Sequence, residues 1–163
     1  MPRSAGTDLS PELREILDGE ELAGREGMTF LLITAAGDGW PHVAMLSVGE
    51  VLARDERQLR FALWPGSQTT ENLTRERETA VLMIVHAGSV YYLRLRCHRL
   101  ADAKVKGMPR ALFSAQVEEV LQDVVDYAVI TNGIRFRLKK PKEVLEVWTD
   151  SVRVMRETDL EPG

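Results

Sequence analysis

The sequence predicts a mainly β fold, a small antiparallel barrel of six strands with helices at its periphery. Three observations carry that prediction. Six apolar or alternating runs are spaced along the chain and joined mostly by short turn signals, such as Gly37-Asp38-Gly39 and Ala87-Gly88-Ser89. Helical spacing occurs only near the start, in one short central stretch and late in the chain. A doubly wound parallel sheet needs a helix between most strands, and here those helices are missing; no Gly-x-Gly-x-x-Gly follows the first strand either.

Taken in order, residues 1–9 read as a flexible N-terminus, 10–156 as a single domain and 157–163 as a flexible acidic tail. Ser10-Pro11-Glu12 is a helix start, with Ser10 as N-cap, Pro11 at the first helical position and Leu13, Ile16 and Leu17 as the apolar stripe. Met28 to Ala35 and Pro41 to about Ala53 form a β-hairpin about the Gly37–Gly39 turn. Pro41 opens its strand, where a missing N–H does least harm. After the charged turn Arg54–Arg57, Gln58 to Trp64 is the third strand. Thr70 to Arg77 is a short polar helix, and Thr79 to His86 a buried strand.

Val90 to about Ala103 alternates, with Leu93, Leu95 and Cys97 on one face and Tyr92, Arg94, Arg96 and His98 on the other. Val117, Val120, Leu121, Val124 and Val125 recur at helical spacing. Ile134, Phe136 and Leu138 alternate with Arg135, Arg137 and Lys139 as a sixth strand. Pro141 starts a last helix with Val144, Leu145, Trp148, Val152 and Met155 on one side.

A chain of 163 residues can bury a core without disulfides or metals. Net charge is −4, which disfavours a nucleic-acid partner. The local basic runs RLRCHRL and RFRLKKPK alternate with apolar residues and read as solvated strand faces. No apolar run is long enough to cross a bilayer, and the N-terminus lacks the apolar core of a secretory signal. Cys97 is the only cysteine, so no intrachain disulfide forms. A cytoplasmic location is expected. His42, His86 and His98 lack metal-ligand spacing, no metal is expected, and no nucleophile elbow occurs.

The stretch FALWPGSQTTENL, Phe61 to Leu73, carries the most chemistry. A strand runs through a Pro-Gly turn into Ser67, Gln68, Thr69 and Thr70 and then a helix start near Glu71. Hydroxyls, open backbone N–H groups and a helix dipole make that order a phosphate cradle. The same residues equally read as a helix cap formed by Ser67, Thr69 or Thr70. His42 fits a cofactor or substrate contact, or simple partial exposure. Trp64 flanks an aromatic ring or anchors a core or interface, Trp40 sits in a turn, and Trp148 reads as packing. The Tyr92, Arg94, Arg96 and His98 face binds an anion, pairs with acids across a dimer, or is simply a solvated exterior.

FLLITAAGDGWPHVAMLSVGEV, LRFALWPGSQTTENL, TAVLMIV and YYLRLRCHRL together resemble the FMN-binding split-barrel family related to pyridoxamine 5'-phosphate oxidase. The resemblance covers roughly residues 10–148 and rests on the order of elements and loose motifs. It implies a six-stranded antiparallel split β-barrel, a homodimer and two FMN sites at the subunit interface. It places the flavin ring along His42, Val43, Ala44 and Met45, and the phosphate on Ser67, Gln68 and Thr69 with help from the following helix; Asn72, on that helix, is added as a candidate for the phosphate end.

The chain departs from the oxidase itself. That enzyme carries Arg and Lys in the phosphate loop and on the second strand. Here the loop has Gln68 and Thr69, no cation lies between Val43 and Val51, and Glu71 adds a negative charge. Arg60, Arg75 and Arg77 are the nearest cations in sequence.

The expected function is therefore a flavin-dependent oxidoreductase of unnamed small-molecule substrate and electron donor, not a true pyridoxamine phosphate oxidase. In it the cofactor does the hydride chemistry, so no catalytic residue is assigned. The alternatives are a deazaflavin-dependent reductase, a non-catalytic flavin- or haem-binding or sensor protein, and an empty dimeric scaffold.

Overall fold

Alternating apolar runs curl one antiparallel sheet around a core of Leu32, Phe61, Leu82, Leu93 and Phe113, all essentially inaccessible to solvent. In the computed structural model, which describes residues 1–159 apart from the Glu76 side chain, the strands are β1 (Arg3–Ser4), β2 (Phe30–Ala35), β3 (Pro41–Leu46), β4 (Val51–Ala53), β5 (Gln58–Leu63), β6 (Thr79–His86), β7 (Ser89–Arg99), β8 (Ala103–Val105) and β9 (Met108–Asp123). The sheet runs β3-β2-β6-β7-β9-β5-β4, with β1 and β8 also paired to β9. Seven strands thus follow one path where six were expected. β3 and β4 are its two ends, which leaves the barrel split between them.

The helices are α1 (Pro11–Ile16), α2 (Gln68–Glu71), which continues as a π-turn over Asn72–Glu76, and α3 (Pro141–Glu157). Ser10 caps α1 by accepting from the Leu13 N–H at 3.3 Å, and Pro11 stands in its first turn. Trp148, Val152 and Met155 of α3 are buried, and Val154 joins them.

Three expectations are corrected. The run from Pro41 to Ala53 is two strands, because Ser47–Glu50 turns the chain: Glu50 Oε2 accepts from the Ser47 N–H at 2.7 Å and from its hydroxyl at 2.9 Å. The periodic residues around Val117 and Val120 are strand, not helix. A β-bulge shifts the register so that Arg94 pairs Glu119 while Leu95 pairs Val117, leaving Glu118 as the extra residue. Val117 and Val120 therefore both point inward, three residues apart, which mimics a helical period.

Ile134 to Lys139 is not a strand. It makes one bridge, Met28 with Arg135, and crosses the barrel end with Ile134 and Phe136 exposed. Arg3 and Ser4, in the leading segment, pair with Gln122 and Leu121 of β9. The C-terminal tail lies, from residue 160 onward, outside the described residues.

Candidate functional site

β3 is hydrogen-bonded to β2 alone, with Val43 opposite Ile33 and Ala44 opposite Leu32. Its residues alternate as a pleated strand requires: Val43 and Met45 are exposed, His42 and Ala44 are half-buried, and Leu46 is buried. His42 thus faces away from the exposed Val43–Met45 stripe and sits opposite Thr34. Trp40, 75% exposed, and Trp64, 52% exposed, add two aromatic rings to the uncovered surface.

The Ser67 loop joins β5 to α2, which packs against β3. The Ser67 N–H donates to the Trp64 carbonyl at 3.1 Å, closing the Pro65-Gly66 turn. Ser67 then caps α2: its Oγ accepts from the Thr70 N–H at 3.2 Å. The Thr70 hydroxyl donates to the Trp64 carbonyl at 2.7 Å. Gln68 Nε2 donates to Asn72 Oδ1 at 2.8 Å, and Asn72 Nδ2 donates to Thr34 Oγ1 at 2.9 Å. Asn72 and Thr69 are buried, so Asn72 is a strut between α2 and β2. The first-turn N–H groups of Gln68 and Thr69 have no intrahelical acceptor.

The cations around this loop differ from those the sequence indicated. Arg75 and Arg99 line a groove of about 270 Å³ with Gly66, Ser67 and Thr70. Arg75 pairs with Glu71 at 2.9 Å, which offsets that carboxylate beside the loop. Arg99 pairs with Asp102 at 2.8 Å and donates to the Thr74 hydroxyl at 2.9 Å. Arg60 is instead buried beside Arg54 and Asp55, and Arg77 lines a separate groove with Ile33, Thr79 and Arg94. Arg99 stood in the RLRCHRL run, but only the packing of β7 on the π-turn brings it to the loop.

A second concavity, about 450 Å³, is lined by Trp64. Met45, Phe136 and Trp148 supply apolar wall, and Glu50 and Arg110 supply charge. The Arg110 guanidinium lies over the Trp64 ring at 3.8 Å and donates to the Pro109 carbonyl at 3.0 Å. Burial lowers the Arg110 pKa and the Glu50 charge opposes that less strongly. Burial likewise raises the Glu50 carboxyl, and the Ser47 bonds and Arg110 pull it back by less. Neither residue was singled out in the sequence, where Glu50 and Arg110 are separate charges 60 positions apart.

The basic face of β7 is paired within the chain. Arg94 meets Glu119 at 2.9 Å, Arg96 meets Glu118 at 2.7 Å, and His98 lies 3.8 Å from Glu78. Those pairs are exposed and describe a solvated exterior. Cys97 is buried and its thiol is pushed up to about 12, chiefly by burial. Among the described residues no helix is long and apolar enough to cross a membrane.

No family model matches the sequence. The chain is 36% identical over 148 residues to YclD, an uncharacterized protein of Bacillus subtilis (strain 168), across 91% of this chain and 96% of that one. Among solved structures it is similar to a candidate pyridoxamine 5'-phosphate oxidase of Lactobacillus delbrueckii, with TM-score 0.57, 17% identity, and coverage of 74% of this chain and 98% of that one. It is also similar to HupZ of Group A Streptococcus, with TM-score 0.54, 12% identity, and coverage of 79% and 99%. The chain belongs to one family with YclD of Bacillus subtilis, and its fold is the split barrel of the pyridoxamine 5'-phosphate oxidase relatives.

Proposed function

We propose that the protein is a homodimeric FMN-binding oxidoreductase acting on a small molecule other than pyridoxamine phosphate. One observation carries this reading. The uncovered apolar edge strand β3 lies against α2, and Arg75 and Arg99 line a groove with Ser67 and Thr70 at the start of that helix. Flat apolar surface next to an anion-binding helix start is what a ring bearing a phosphate tail requires.

The residues present fit such a group, by a route the loop sequence does not reveal. Gln68 and Thr69 would offer backbone N–H groups, and Arg75 and Arg99 would supply the charge that the loop lacks. Val43 and Met45 would lie along the ring. Ser67 and Asn72 would act through the backbone they hold in place, Ser67 by capping α2 and Asn72 by tying it to β2. A bound flavin would supply hydride transfer. A second subunit would cover Trp40, Val43 and Met45, an apolar surface that water disfavours.

Titration of the purified protein with FMN and with riboflavin tests the reading. FMN is expected to bind as a homodimer-bound chromophore, and more tightly than riboflavin, which lacks the phosphate. Arg75→Gln and Arg99→Gln should each weaken FMN about tenfold, roughly 1.4 kcal/mol, and leave riboflavin unchanged. Equal affinity for both ligands would place the phosphate elsewhere, and no flavin binding would end the proposal. Reduction of the bound flavin by a nicotinamide donor then separates an enzyme from a binder.

A further inference from the structure

We infer that the cavity between Trp64 and Trp148 is a binding site for a small zwitterion with an apolar body, an apolar α-amino acid or a close analogue. The cavity, about 450 Å³, is in the range that holds small ligands. Its walls divide into two chemistries. Phe136 meets Trp148 edge-on, with ring centroids 6.4 Å apart at 81°, and Met45 adds a flexible apolar wall. Phe136 and Ile134 are partly exposed and form the rim.

Deeper in, Arg110 and Glu50 line the same space without a direct ion pair. Arg110 is 6% exposed. One face of its guanidinium is covered by Trp64, one N–H is taken by the Pro109 carbonyl, and its remaining donors are open to a ligand. Glu50 is fixed in place because Oε2 takes both the N–H and the hydroxyl of Ser47, leaving Oε1 to accept from a ligand. For each of the two charges, desolvation outweighs the attraction of the other.

Two opposite charges that do not touch, Arg110 buried and Glu50 half-buried, call for a ligand that meets both. A carboxylate complements Arg110 and an ammonium complements Glu50, and charge-assisted bonds of this kind are the strong ones. A ligand with only one of these groups leaves the other protein charge uncompensated. An apolar side chain on the same small molecule then fills the aromatic corner. The site does not depend on a bound flavin, although Met45 places it beside the β3 stripe.

The test is calorimetric titration of the full-length protein with L-phenylalanine, 3-phenylpropanoate and phenethylamine, followed in parallel by tryptophan fluorescence. L-Phenylalanine is expected to bind at least tenfold more tightly than either one-charge analogue. Glu50→Gln should reduce it to the level of 3-phenylpropanoate without weakening 3-phenylpropanoate itself. Arg110→Gln should reduce it to the level of phenethylamine. Circular dichroism confirms folding, and Glu50→Gln keeps an acceptor for Ser47 should Arg110→Gln fail to fold. Equal binding of the three probes, binding of one-charge analogues alone, or no binding overturns the inference. FMN titration of the same samples reads the flavin proposal separately, so either can fail without the other.

Discussion

Single residues in this protein take their chemistry from burial more than from type. Glu50 is the clearest case. Burial holds its carboxyl above the ordinary 4.5, so the native state keeps the proton in a range where the unfolded chain has lost it. Stability contributed by protonated Glu50 is therefore present at low pH and lost as pH rises through the raised value. Melting temperatures compared between wild type and Glu50→Gln from about pH 4 to about pH 7 should show the wild type falling relative to the variant. A constant difference would remove Glu50 as the titrating group. Cys97 shows the same control by burial. Its thiol, pushed up to about 12, should resist an aromatic disulfide reagent at mildly alkaline pH and react fully only on unfolding. The sequence placed Cys97 on one face with Leu93 and Leu95 by alternation, but it held no sign that Glu50 is half-buried, since that depends on the Ser47–Glu50 turn packing beside Trp148 of α3.

Among elements, two contacts decide where the site sits. Gly49 lies so close to Trp148 that a Cβ would overlap the indole ring. Gly49→Ala should displace α3 from the Ser47–Glu50 turn, cost about 1–3 kcal/mol and red-shift tryptophan emission. Asn72 bridges α2 to β2 through Gln68 and Thr34. Asn72→Ala leaves the buried Thr34 hydroxyl without that partner and should cost about 1–3 kcal/mol, read by denaturant unfolding. A helix after the Pro65-Gly66 turn was legible as a local signal, but Ser67, Thr69 and Thr70 were all open as its cap, and α2 begins at Gln68 rather than Thr70. β9 was not legible as a strand because its bulge at Glu118 puts Val117 and Val120 on one face at a helical interval. The segment from Ile134 to Lys139 erred the other way, alternating like a strand but finding only a bridge at Met28.

At the scale of the molecule, the split between β3 and β4 leaves the proposed cofactor side open. Trp40, Val43, Met45 and Trp64 are exposed there at 75, 52, 66 and 52%, an apolar patch of the kind that marks an interaction surface. On the homodimer reading, Val43→Asp combined with Met45→Asp should shift sedimentation toward monomer and lower FMN affinity in the same samples. A dimer that persists with unaltered FMN binding would place the interface elsewhere.

The sequence by itself determined the mainly β class, the capped helix start at Ser10, the two faces of β7 and the apolar stripe of α3. Each of these is a local effect: caps act within three residues, and the periods of a strand or helix show in the chain itself. Only the tertiary structure decided that Arg99 joins the Ser67 loop, that Arg60 does not, and that Glu50, Trp64, Arg110 and Trp148 enclose one cavity. Those residues meet because distant strands are neighbours in a curled sheet. Desolvation then sets their charge, and it depends on what surrounds a residue in space rather than along the chain.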